Sequence, residues 1–181
     1  MKYIIDFETN AIDFQAWNKG DRSSLKQIHC LCVVNADSGE SHVFTRGSIE
    51  SGIDMIRAAD EIIAHNAKFD VSVFEAWTGT PLPSRIKVTC TYKAAKSMFP
   101  EGFREERISN PDRKGSHSLE AWGYRLGVLK GSKPLDWDSF DPMMVAYCLQ
   151  DCTVTLALHR FLMRRKRWGF MSPLVERLVG A

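Results

Sequence analysis

The chain has 181 residues, 44% of them hydrophobic and 25% charged, which suits one globular domain with a real core and excludes a disordered chain. Lys+Arg of 24 against Asp+Glu of 22 leaves a formal charge of +2, too mild to announce a nucleic-acid partner by itself. No run nears the roughly 20 apolar residues of a membrane span, and acids interrupt the N-terminus before a secretory apolar region could form. The five cysteines lack framework spacing and suit a reducing compartment, the cytoplasm, better than a disulfide scaffold.

Residues 2–7 form a β-rich run, apolar on both faces, as a central strand requires. Residues 28–34 and 41–45 predict two further strands, with Asp37-Ser38-Gly39 between them as the turn. Ser48 is placed to cap a helix through Ala59, with Glu50 in its first turn. Residues 61–65 are short enough for a buried strand, and Asn66 then opens a helix whose Phe69, Val73 and Trp77 recur at helical spacing.

Pro81 and Pro83 mark a loop, and residues 91–98 predict a short helix. Residues 101–114, with Arg104, Arg107, Arg113 and Lys114 and few apolar side chains, read as an exposed, mobile loop. Ser118 to Leu126 resumes the helical pattern, closed by Gly127. Asp141-Pro142 starts a long helix to about Arg165, because proline at the first position gives up an N–H that had no partner. Strands precede and alternate with helices, so the class is α/β in one layered domain.

Three acidic constellations carry the chemistry. Asp6 and Glu8 point to the same face at the end of the first strand, and two carboxylates that close repel unless a cation lies between them. Hard oxygen donors suit Mg²⁺ or Mn²⁺. In the second, Asn66 caps a helix and puts Asp70 in its first turns. In the third, Tyr147 and Asp151 lie four apart on one face of the long helix, where an inward aspartate is costly unless something binds it. Chance supplies roughly 0.7 copies of Asp-x-Glu but only roughly 0.03 of Asn-x-x-(Phe/Tyr)-Asp, so the second motif weighs more.

In this order, Asp-x-Glu, Asn-x-x-Phe-Asp and Tyr-x-x-x-Asp resemble the DEDD 3′→5′ exonucleases of the DnaQ-like superfamily. Tyr147 marks the DEDDy branch; the DEDDh branch would have histidine where Ala146 stands. Residues 115–127, Gly-Ser-His-Ser-Leu-Glu-Ala-Trp-Gly-Tyr-Arg-Leu-Gly, look like the proofreading domain of phage-type family A DNA polymerases. Cys90-Thr91 departs from the Asp-Thr with which many relatives open that helix. The resemblance covers about residues 1–165, leaving a basic tail over 164–181. The expectation is a free-standing exonuclease domain over 1–181, in a bacterial host's cytoplasm if phage-encoded.

The resemblance implies an RNase H-like fold, a five-stranded mixed sheet flanked by helices. It implies two divalent ions, Mg²⁺ or Mn²⁺, one held by Asp6, Glu8 and Asp151 and one by Asp6 and Asp70. Tyr147 would orient the attacking water, being a poor base with an ordinary pKa of about 10. The expected reaction releases nucleoside 5′-monophosphates from a DNA 3′ end. Single-stranded DNA is the first expected partner, with duplex DNA, RNA and a separate DNA polymerase as others. An exoribonuclease and a catalytically silent polymerase-accessory protein are the alternatives.

Thr9 and Asn10 are candidate donors to the 3′-terminal nucleotide, with Asn66 and Phe69 also beside it, though the helical spacing of Phe69 favours a core residue. The Arg164-Arg165-Lys166-Arg167-Trp168 run is either a phosphate-binding end or a solvated terminus. The apolar positions of 173–179 fit either a docked partner or packing onto the same domain. Cys30 with Cys32 and Cys148 with Cys152 read as small buried hydrophobes rather than a zinc site. No chemical role is assigned to His117.

Overall fold

The computed structural model describes residues 1–100 and 115–167, with only the backbone for 166 and 167. The apolar N-terminal run becomes the central strand β1 (Lys2–Thr9), paired antiparallel with β2 (Ile28–Asn35) and parallel with β4 (Glu61–Ala64). The hairpin partner of β2 is β3 (Ser41–Thr45), and β5 (Lys87–Cys90) runs parallel to β4. The five-stranded mixed sheet has the order β3-β2-β1-β4-β5.

Because strand side chains alternate, β1 serves two cores. Tyr3, Ile5 and Phe7 join Leu31, Val33, Ile53, Ile56 and Phe74 on the face covered by α2 (Ile49–Arg57) and α3 (Lys68–Thr78). Gly52 lets α2 come close: a Cβ there would lie 2.6 Å from side-chain carbons of Leu31 and Phe44. Ile4 joins Cys30, Cys32, Cys148 and Cys152 on the other face, under α6 (Pro142–Arg167). The five cysteines are free and buried, and those four fill an apolar layer as expected. Against α6 pack α4 (Thr91–Met98) and α5 (Leu119–Leu126), around the fully buried Trp122.

Several local readings need correction. The strand β5 and the short helix α1 (Phe14–Asn18) were not expected from pattern; Asp13 caps α1 by accepting from the N–H groups of Gln15 and Ala16. Ser48 is the N-cap of α2, but its hydroxyl bonds the backbone of Thr45 instead of a helical N–H. Asn66 does not cap α3: the N-cap is Ala67, and Asn66 takes a left-handed φ of 64° in the turn out of β4. Trp77 lies in α3, as its spacing predicts, where it is exposed and donates to Glu50.

Cys90 occupies the N-cap of α4 without a side-chain bond, so the departure from Asp-Thr costs that helix a cap. Ser118 caps α5 through Ala121, and Asp141 accepts from the N–H of Met143 at the start of α6. Among the described residues no helix is long and apolar enough to cross a membrane. The expectations for 101–114 and 168–181 lie outside the described residues.

Candidate active site

Alternation along β1 sends Asp6 and Glu8 to the face occupied by α6, opposite Cys32 and Cys30 of β2. The parallel partner β4 pairs with β1 only from Lys2 to Ile4, so the later N–H groups on that edge need other acceptors. Asp70, in the first turn of α3, supplies one: its Oδ1 accepts the N–H of Phe7 at 3.3 Å. That bond ties the start of α3 to the carboxyl end of β1 and buries Asp70 beside Asp6.

On α6, Tyr147 and Asp151 share the face that meets the sheet with Met144, Cys148 and Cys152. The thiol of Cys148 lies 3.2 Å from the carbonyl oxygen of Asp6, which brings the helix down onto the strand at the acids. The fold thus gathers Asp6, Glu8, Asp70, Tyr147 and Asp151 at the carboxyl end of the parallel strands.

A sixth side chain joins them that no motif indicated. Lys130 donates to Asp151 Oδ2 at 2.6 Å and to the Tyr147 hydroxyl oxygen at 2.8 Å, with its ammonium 4.7 Å from the centre of that ring. It arrives there through the end of α5. Gly127 takes φ 69°, the N–H of Val128 donates to the Gly123 carbonyl, and Gln150 of α6 donates to the Leu129 carbonyl. A Cβ on Gly123 would sit 2.7 Å from the Val128 carbonyl, so this path needs glycine. The sequence around Lys130 (Val-Leu-Lys-Gly-Ser-Lys) carries no periodicity or cap that could have singled it out.

The electrostatics are those of carboxyl groups buried and crowded together. Burial first, and then repulsion from Asp151, raises Asp6 to about 7. Burial and the charge of Asp6 push Glu8 to about 11, and the same causes hold Asp70 well above its ordinary value. Burial also raises Asp151, with Lys130 working against it, and raises Tyr147, which therefore stays a neutral phenol near pH 7. Burial and then the charge of Lys130 lower His65 to about 4, so it stays neutral too.

Asp6 Oδ2 and Asp151 Oδ1 are sealed from solvent and find no hydrogen-bond partner among the described residues. Buried carboxylate oxygens left without a donor fit a hard divalent cation. The carboxylates of Asp6 and Glu8 and the Cys148 sulfur lie within 4.8 Å of one another. Burial holds the Cys148 thiol protonated, so the oxygen donors are the ones available to such an ion.

The expected substrate contacts fare differently. The side-chain oxygen of Asn10 accepts from Lys26 and Gln27, and its NH₂ group donates to the carbonyls of Ala11 and Ser24. It clamps the 21–27 loop to the end of β1 and has no side-chain donor left for a nucleotide. The buried Thr9 hydroxyl donates to the Asn10 carbonyl, whereas Asn66 is exposed beside the site. Phe69 is half-buried against the core, and its ring lies 6.1 Å from that of the exposed Phe14 and 6.0 Å from Trp17. His117 is held by the Phe99 carbonyl and packs on Trp122.

This sheet order, with helices on both faces and acids at the carboxyl end of the central strands, is the RNase H-like fold. No known family profile matches the chain. A DNA-directed DNA polymerase of Enterobacteria phage T3 is 24% identical over 178 residues, covering 80% of this chain and 25% of the polymerase. A DNA-directed DNA polymerase of Escherichia phage T7 is 37% identical over 73 residues, covering 31% of this chain and 10% of the polymerase. The chain therefore matches a quarter or less of the length of each polymerase.

Among solved structures, Brucella melitensis NrnC has a TM-score of 0.62 at 18% identity, covering 98% of this chain and 79% of that one. Exonuclease X in complex with 5′ overhanging duplex DNA has a TM-score of 0.55 at 18% identity, covering 99% and 98%. Escherichia coli RNase D, an exoribonuclease involved in structured RNA processing, has a TM-score of 0.55 at 13% identity, covering 97% and 42%.

Proposed function

We propose that this chain is a metal-dependent 3′→5′ DNA exonuclease of the DEDDy type, with residues 1–165 as its core. It would hydrolyse the terminal phosphodiester and release nucleoside 5′-monophosphates. The observation that carries this reading is that β1, α3 and α6 bring four carboxylates within electrostatic reach of one another, with Asp6 Oδ2 and Asp151 Oδ1 buried and unpartnered among the described residues. The phage DNA polymerases among its relatives favour DNA as the substrate. RNA is the second reading, because the exoribonuclease RNase D shares the fold.

In this proposal Asp6, Glu8, Asp70 and Asp151 hold two Mg²⁺ or Mn²⁺ ions. When bound, such ions activate a water for attack and stabilise charge on the leaving 3′ oxygen. The chain's own contribution is placement. Lys130 donates to the Tyr147 oxygen, which leaves the phenolic hydrogen free to orient a water. As a neutral phenol, Tyr147 aims that water rather than deprotonating it. Phe69 and Phe14 offer an aromatic surface for the terminal bases.

The test is cleavage of 5′-labelled single-stranded DNA, duplex DNA and RNA with Mg²⁺ or Mn²⁺, with a chelator, and with Asp6→Ala as the contamination control. A one-nucleotide ladder shrinking from the DNA 3′ end, absent with chelator and in the variant, is expected. A ladder mainly on RNA would shift the substrate, and no cleavage by folded protein would favour the accessory role.

A further inference from the structure

Lys130 is the one cation that the described residues place in direct contact with the acid cluster. Its side chain is 17% exposed and that of Asp151 9%, so the pair is shielded from the screening that weakens surface salt bridges. The ammonium takes one oxygen of Asp151 and leaves the other, Oδ1, buried and unpartnered. It also braces Tyr147, which packs edge-on against Trp137 at 6.0 Å. A positive charge at this spot does two opposed things. It neutralises part of the cluster when no other cation is there, and it repels any cation that enters.

We propose that Lys130 is a positioning residue that serves as the resident counter-cation of the site. It holds Asp151 and Tyr147 in place in the metal-free protein and weakens divalent-ion binding by competing for Asp151. The inference rests on the metal-dependent reading above. Its consequence is that the site is already arranged before the ion arrives.

The experiment measures Mn²⁺ binding from the EPR signal of free ion, alongside melting temperature with and without Mn²⁺. It compares wild type, Lys130→Met, Lys130→Gln, Lys130→Arg and Asp6→Asn. Lys130→Met and Lys130→Gln are expected to bind Mn²⁺ about tenfold more tightly, since a like charge a few ångströms away is removed. Their metal-free melting temperatures should fall, and Mn²⁺ should raise them by more than it raises wild type. Lys130→Arg, which keeps the charge, should bind as wild type does.

Unchanged or weaker binding by both neutral variants, with wild type binding normally and Asp6→Asn binding poorly, would overturn this inference and leave the metal-dependent reading standing. A lower melting temperature with unchanged Mn²⁺ affinity would reduce Lys130 to a structural brace and also overturn it. A wild-type protein that binds no Mn²⁺ would overturn both.

Discussion

The two ends of the sheet treat charge in opposite ways. At the amino end of the parallel strands two acids are paired: Glu61 accepts from Thr89 at 2.5 Å and pairs with Lys87 at 3.2 Å, and Asp60 pairs with the N-terminal ammonium. At the carboxyl end Asp6, Glu8, Asp70 and Asp151 crowd together with Lys130 as their cation. The first end is arranged for folding. The second is an electrostatic liability that the fold tolerates, and such concentrations of strain mark functional sites. A cavity of about 760 Å³ at the amino end has the opposite balance, with the cations Lys2, Lys87, Arg160 and Arg164 against the acids Asp37 and Glu61 in its lining.

The sharpest way to break this contrast is to remove an acid from the crowded end. Asp6→Ala should lower exonuclease turnover by roughly 10³-fold or more, the several kcal/mol that ion-assisted chemistry contributes. The isosteric Asp6→Asn should lose activity too, yet melt higher than wild type in a chelator, because it removes repulsion. Calorimetry on the chelated proteins checks this, and a lower melting temperature would count against the liability.

Tyr147→Phe should cost about 10–10³-fold in turnover while leaving Mn²⁺ affinity nearly unchanged, as expected of a group that orients a reactant. Turnover of labelled DNA and Mn²⁺ titration separate the two quantities.

The pH dependence sharpens the comparison further. Asp6 titrates at about 7 and Glu8 at about 11 in the folded, metal-free protein, against about 4 once unfolded. The native state then holds more protons than the unfolded chain over that interval. The stability these groups contribute is therefore fully present below about pH 4 and is lost as pH rises, the share of Asp6 through about 7 and that of Glu8 through about 11. Chelated wild type should melt lower at pH 8 than at pH 5, relative to Asp6→Asn. Mn²⁺ affinity should rise over the same interval, because the ion displaces those protons.

The smallest effect belongs to the paired end. Lys87, whose side chain is 59% exposed, contributes less than about 1 kcal/mol through its salt bridge. Lys87→Ala should lower the melting temperature by at most a few degrees and leave exonuclease activity intact. A large loss of activity would mean that the two ends are coupled.

Residue order is legible wherever the physics is local. Period-two alternation put Asp6 and Glu8 on one face of β1, and the four-residue helical spacing did the same for Tyr147 and Asp151. Ser118, Gly127 and Asp141 announced helix ends because caps are made by neighbours in sequence. The tertiary structure decided the rest. The strand β5 has four residues, two of them polar, and exists through its ladder with β4, which no window of the sequence contains. Asn10 became a clamp because a distant loop offered its backbone, and Asn66 left its expected cap because the chain turns there at positive φ. Lys130 reached Asp151 because a glycine-dependent path out of α5 ends against α6. Contacts of that kind depend on where separate elements meet, and the pairing of charges across them is settled only when the chain has closed.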